Sequence, residues 1–181
     1  MFHAVGIIEL KSIAKGVEAC DEALKSAGID LISAHPACPG KYEIIVTGSI
    51  ANVTAAVDRV RDKFATYVID VSVMGRIDQT VITALFGTQD TPRSGSLGII
   101  ETFSAASAIK AADIAVKTSR VAIYDLRVSR GMGGKGVVMI TGAVGDVAAA
   151  VEAGAKHAQS VGLFNASTVI AAPHSELWEQ L

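Results

Sequence analysis

The sequence predicts an α+β fold, an α/β sandwich made of two tandem βαββαβ domains, each with an antiparallel sheet. Three observations carry that expectation. A long segment recurs within the chain, and strand-like and helix-like apolar periodicities follow one another in the same order in each copy. A polar Gly/Ser/Pro stretch joins the copies.

The repeat is extensive. Gly6-Ile7-Ile8-Glu9 returns 92 residues on as Gly98-Ile99-Ile100-Glu101, and half of the positions from Gly6 to Lys25 are identical at that offset. After a two-residue insertion, Gly40-Lys41 aligns with Gly134-Lys135 and Thr47-Gly48 with Thr141-Gly142. Val53, Ala55, Ala56 and Val57 then meet Val147, Ala149, Ala150 and Val151. The boundaries that follow are a first domain over 1–88, a linker over 89–96 and a second domain over 97–181. The stretch from Gly87 to Ser96 lacks the apolar residues needed to pack a core and reads as a joint.

Taken in order, a strand over Ala4–Leu10 leads into a helix capped by Ser12, with Ile13, Val17, Cys20 and Leu24 as its expected buried stripe. The second copy places Ala105, Ile109, Ala112 and Val116 on that stripe. Strands over Ile29–Ala34 and Tyr42–Thr47 flank a loop from His35 to Lys41. A second helix beginning at Asn52 is expected to bury Val53, Ala56, Val57, Val60 and Phe64. A fourth strand, Tyr67–Met74, completes the copy. The second half repeats the order with strands near Leu97–Thr102, Val121–Val128, Gly136–Thr141 and Leu163–Ile170. Short helices are expected near Gln79–Leu85 and Ser175–Leu181. With both long helices on one face of the sheet, the topology is ferredoxin-like. Small Ala-rich helix faces leave much sheet uncovered, which predicts association with further copies.

Composition excludes several classes. A net charge of −2 gives no bulk basic signal for nucleic acid. Charged residues or glycine interrupt every apolar run short of a membrane span. The opening residues lack the basic region, apolar core and cleavage site of a signal peptide. Two cysteines without close spacing make neither a disulfide framework nor a self-contained zinc site. The expectation is a soluble cytosolic protein.

The most distinctive stretch is His35-Pro36-Ala37-Cys38-Pro39-Gly40-Lys41, which holds one of the two cysteines and two of the four prolines. Proline on both sides fixes φ and presents the thiol on a stiff turn. Taken alone, Cys38 reads as an exposed loop thiol. Cys20 lies on the helical stripe and reads as a small buried hydrophobe. His35 stands close to Cys38 as a conceivable ligand but reads as a solvated strand end, and His3, His157 and His174 form no ligand-spaced set with a cysteine. The run from Gly131 to Gly136 satisfies G-x-G-x-x-G, yet a strand follows it, whereas a dinucleotide fingerprint opens a helix. It reads as a tight turn, with Arg130 and Lys135 as basic turn residues. Glu9 and Glu101 recur at one place with no His or Asp beside them and read as structural hydrogen-bonding groups. No acid/base pair or nucleophile set stands out, so no substrate turnover is expected.

Several of these features together resemble the bacterial microcompartment shell proteins: the opening Gly-Ile-Ile-Glu, the helix ending Asp-x-x-x-Lys, the Gly-Lys turn, the Thr-Gly after it, and Val-Ile-x-x-Pro-His at 169–174. The duplication resembles their tandem-domain class, whose members form pseudohexagonal trimers that tile into a shell facet. Within it, Cys38-Pro39-Gly40-Lys41 resembles the propanediol-utilisation subgroup, which holds an iron–sulfur cluster on the threefold axis. The resemblance implies a homotrimer in the microcompartment shell with one 4Fe-4S cluster per trimer, shared by three Cys38 thiolates. Pro39, Gly40 and Lys41, with Met132, Gly133, Gly134 and Lys135 of the second copy, would line the pore.

Lys25, Lys117 and Arg76 match the family's edge residues. Two departures qualify that match. Ala172 stands where the second copy should carry the edge arginine, and Ile77-Asp78 stands where the first should carry Pro-His. Other shell proteins, and lumen or cytosolic oxidoreductases, are the implied partners. Two further readings compete: a metabolite-conducting shell pore without a cluster, and a ligand-sensing module of ferredoxin-like topology.

Overall fold

The computed structural model describes residues 4–87, 91–128 and 131–181. His3, Arg130 and part of the expected linker, Gln89 and Asp90, therefore lie outside the described residues. The elements run β1 (Ala4–Leu10), α1 (Ile13–Ser26), β2 (Ile29–Ala37), β3 (Lys41–Gly48), α2 (Ile50–Lys63), β4 (Val68–Met74) and α3 (Gln79–Leu85). They continue as β5 (Ser96–Thr102), α4 (Ala105–Thr118), β6 (Val121–Val128), β7 (Gly136–Gly142), α5 (Val144–Ser160), β8 (Phe164–Ile170) and α6 (Ser175–Gln180).

There are two compact units. One comprises residues 4–77 with 104–106 and 131–134; the other comprises 78–87, 91–103, 107–128 and 135–181. Each contains a four-stranded antiparallel sheet, ordered β2-β3-β1-β4 in the first and β6-β7-β5-β8 in the second. The βαββαβ expectation holds in both.

In the first unit, α1 and α2 cover one face of the sheet. Ala4, Ile8, Leu10, Tyr42, Ile44 and Val46 pack there on Ala19, Cys20, Ala23, Val53, Ala56, Val57 and Val60. The repeated glycine has a packing reason: a Cβ at Gly6 would come within 2.8 Å of Val53 and 3.0 Å of Val57. Its counterpart Gly98 meets Val151 and Val147 at 2.6 and 2.7 Å in the second unit. Small residues at these two sites let α2 and α5 lie close to their central strands.

Two sequence expectations need correction. The buried stripe of α1 is Gly16, Ala19, Cys20 and Ala23, while Ile13, Val17 and Leu24 are exposed. The helix turns its smallest residues to the sheet, because Tyr42 fills that space: a Cβ at Gly16 would sit 2.2 Å from the Tyr42 Cβ. The His35–Lys41 loop also shrinks to a turn. β2 continues through His35 and Pro36 to Ala37, pairing His35 with Glu43 and Pro36 with Tyr42. Proline is tolerated because β2 is an edge strand.

The second helix follows the expected pattern, with Val53, Ala56, Val57 and Val60 inaccessible and Phe64 nearly so. Its cap is Ser49, which accepts from the Asn52 amide at 3.2 Å, so it starts two residues before the expected Asn52. In the second unit, α3 packs on β6 through Val81, Ile82 and Ala84. The side chain of Asp78 caps α3, and its amide donates to Asp113 Oδ1 at 2.8 Å.

Candidate functional site

Cys38, Pro39 and Gly40 form the tip of the β2–β3 hairpin, and all three are exposed. The hairpin closes through the Gly40 amide, which donates to Ala37 O at 3.0 Å. Gly40 has φ +87°, a conformation that L side chains rarely adopt, and this alone accounts for glycine there. The Cys38–Pro39 peptide is cis. The thiol is free and stands at the apex, where a ligand from outside the chain can reach it. Cys20, by contrast, is buried, and burial pushes its thiol pKa up, so it offers little thiolate.

Beside this tip, within the same unit, lie residues 131–134 of the second copy. The first-copy turn and this segment, both expected at a pore, come together here. A Cβ on Gly134 would lie 2.5 Å from Cys38 O and 2.9 Å from Pro39 Cδ, so the two backbones touch. Gly133 is exposed and Met132 half-buried. Lys135 belongs to the other unit, where its ammonium meets Glu101 Oε1 at 3.2 Å. The G-x-G-x-x-G run leads into β7, a strand, as its context predicts.

Lys41 does not extend from the tip into solvent. Its side chain is 13% exposed, and Nζ donates to Glu9 Oε1 at 3.0 Å and to Gly134 O at 3.0 Å. Glu9 has no solvent exposure, and its Oε2 accepts the Ala105 amide at 3.0 Å. Burial raises the Glu9 pKa, with the Lys41 charge and hydrogen bond pulling it back down. Glu9 and Glu101 do serve as hydrogen-bonding groups, but the expectation of no Asp beside them fails for Glu9, whose cross-strand neighbour on β4 is Asp70. That each glutamate pairs with the turn lysine was not read from the sequence, although both members recur at the same place in each copy.

Cross-strand pairing sets Asp70, Glu9, Glu43 and His35 in one row across the first sheet. His35 Nε2 stands 3.6 Å from Glu43 Oε1, so His35 turns toward a carboxylate rather than toward the thiol. No group of three or more His, Cys, Asp or Glu suited to a metal ion occurs among the described residues. A cluster on Cys38 would need ligands from more than one chain.

The expected edge residues Lys25, Lys117 and Arg76 are exposed. Lys25 pairs with Asp21 at 2.6 Å and Lys117 with Asp113 at 2.7 Å, which gives the repeated Asp-x-x-x-Lys its local meaning. Both are i,i+4 pairs on a helix. No helix among the described residues is long and apolar enough to cross a membrane.

The family model described as the BMC domain matches twice, at residues 4–77 and 96–173. Over 181 residues the chain is 36% identical to the bacterial microcompartment shell protein PduT of Citrobacter freundii, covering 100% of this chain and 98% of that one. It is 38% identical over 83 residues to the shell protein PduA of the same organism, covering 45% of this chain and 86% of PduA. The crystal structure of a microcompartment protein from Desulfitobacterium hafniense superposes with a TM-score of 0.84 at 38% identity, covering 99% of both chains. Two BMC matches and a full-length likeness to a shell protein agree with the two sheets described above. The chain belongs to the BMC-domain family and is a tandem-domain shell protein of a bacterial microcompartment.

Proposed function

We propose that three copies of this chain close head to tail into a pseudohexagonal shell tile, and that the three Cys38 thiolates together hold one 4Fe-4S cluster at its centre. The observation that carries the reading is an exposed thiol on a short, closed turn in a chain that offers no other ligand set among its described residues. Cluster iron is generally held by cysteine thiolates, so one cysteine per chain fits a site shared about a threefold axis. One iron would then take a small exogenous ligand. A bound cluster would accept and release an electron, which suits transfer across the shell to or from oxidoreductases.

Unequal exposure of the two repeats supports ring closure. On the sheet face opposite the helices, Ile7, Glu9, Glu43 and Ile45 of the first unit are buried. The matching face of the second is an open groove of ≈ 350 Å³ lined by Ile99, Glu101, Val137 and Met139. Helix α4 is buried on nearly every side, whereas α1 exposes Ile13 (43%), Val17 (54%) and Leu24 (39%). The repeat maps Ala105 onto Ile13 and Glu9 onto Glu101. The Glu9–Ala105 contact would have a counterpart between chains: Glu101 of one chain, whose carboxylate already accepts from Lys135 and Asn165, would also take the Ile13 amide of the next, with Val17 entering the groove. Each apolar side chain buried there contributes about 1.5–3 kcal/mol. The tile would meet other shell proteins through edges carrying Lys25, Lys117 and Arg76.

The test is anaerobic iron–sulfur reconstitution followed by visible absorption and EPR, with Cys38→Ser alongside. Expected are cluster absorption in the wild type and, after one-electron reduction with dithionite, an EPR signal, both lost in Cys38→Ser with the trimer intact. A colourless wild-type trimer would favour a metabolite-conducting pore in which Cys38 is incidental.

A further inference from the structure

We propose that Lys41 and Gly134 are positioning residues for Cys38: Gly134 seats the second-copy turn on the Cys38–Pro39 backbone, and Lys41 ties that turn to the buried Glu9. The inference rests on the reading of Cys38 given above and assigns two residues to holding it.

A hairpin tip that is exposed over Cys38, Pro39 and Gly40 pivots about its strands unless something outside the hairpin holds it. Shared ligation demands the opposite, because thiols from separate chains must converge on one centre. The hold comes from Gly134. With φ +83° it adopts a backbone that favours glycine, and a Cβ there would reach Cys38 O at 2.5 Å and Pro39 Cδ and Lys41 Cε at 2.9 Å each. Glycine is required for conformation and for closeness alike.

Lys41 fastens the same segment from the other side. Its ammonium lies 3.0 Å from Gly134 O and 3.0 Å from Glu9 Oε1. Glu9 is itself fixed by the Ala105 amide. A charge-assisted bond to a buried carboxylate is stronger and better directed than a surface pair. The corresponding pair in the second copy, Lys135 with Glu101, is looser at 3.2 Å, with side chains 36% and 29% exposed. There the turn carries Met132 and no thiol.

The experiment places a nitroxide spin label on Cys38 of the cluster-free trimer, in a Cys20→Ser background and at well below one label per trimer so that labels do not couple, and reads its EPR line shape. Lys41→Met and Gly134→Ala should each lose the immobilised component, Lys41→Arg should retain most of it, and Lys25→Met should match the parent. Gly134→Ala removes no charge and keeps both Glu9 and Lys41 in the chain, so it reports the seat even if Lys41→Met does not fold. Line shapes in both brace variants equal to that of Lys25→Met would overturn the proposal. Iron reconstitution of unlabelled protein runs in parallel. If the wild type takes up no iron while the label still responds, the brace stands and the cluster reading falls. If iron binds and the label does not respond, the brace falls alone.

Discussion

Glu9 brings burial and charge into direct opposition. Its carboxyl is inaccessible, and burial holds its pKa above the ordinary 4.5 despite the adjacent Lys41 ammonium. A carboxyl raised in the folded state binds its proton more tightly there than in the unfolded chain. Its contribution to stability is therefore complete below pH 4.5 and is lost as pH rises through the folded value. Glu9→Gln removes that titration, so wild type should lose stability relative to Glu9→Gln as pH is raised from 4.5, compared by urea midpoints at each pH. A constant difference would mean that Glu9 does not titrate above its ordinary value. Gly16 decides a second contest. Glycine to alanine within a helix ordinarily gains about 1 kcal/mol, but here the new Cβ would lie 2.2 Å from the Tyr42 Cβ. Overpacking of about 1–3 kcal/mol outweighs the propensity gain. Gly16→Ala should lower the denaturation midpoint; a rise would show that Tyr42 moves aside freely. The second copy has exchanged the volumes, carrying Ala108 and Gly136 at the matching places.

At the scale of elements, the short helix α3 depends on its cap. Asp78 accepts from the Thr80 amide at 2.9 Å and from the Thr80 hydroxyl at 2.6 Å. Asp78→Ala should cost about 0.5–2 kcal/mol in thermal or urea unfolding, and Asp78→Asn should recover most of it. The order of elements was legible because each copy prints the same periodicity twice. The phase of α1 was not. Ile13, Val17 and Leu24 keep helical spacing and look like a core stripe, but Tyr42 on β3 leaves room for no side chain at Gly16, and the stripe that meets the sheet is Gly16, Ala19, Cys20 and Ala23. A single sequence does not reveal which of two adjacent stripes meets the sheet when the other serves association. The turn was legible as to its thiol and glycine. Its extent was misjudged, because Pro36 suggested a break where an edge strand accepts it. The Lys41–Gly134 contact was hidden for a different reason: its members lie 93 residues apart and share no local pattern.

At the scale of the whole molecule, the exposed stripe of α1 and the open groove of the second unit are the two faces proposed to meet between chains. Val17, 54% exposed in the single chain, has little to contribute to its folding and would contribute much to the proposed ring. Val17→Asp should leave far-UV circular dichroism nearly unchanged while shifting sedimentation from trimer to monomer, with the unfolding midpoint falling to a value that no longer depends on protein concentration. Retention of the trimer would place the joint elsewhere. The proposed cluster would depend on that ring, since only its symmetry would assemble several thiolates from a chain with one exposed cysteine. Native mass spectrometry of anaerobically reconstituted protein tests both together. Expected are one species with the mass of three chains plus a single four-iron, four-sulfide cluster, and a Cys38→Ser trimer without the cluster mass. A cluster-loaded monomer, or a Cys38→Ser trimer that keeps the added mass, would contradict it.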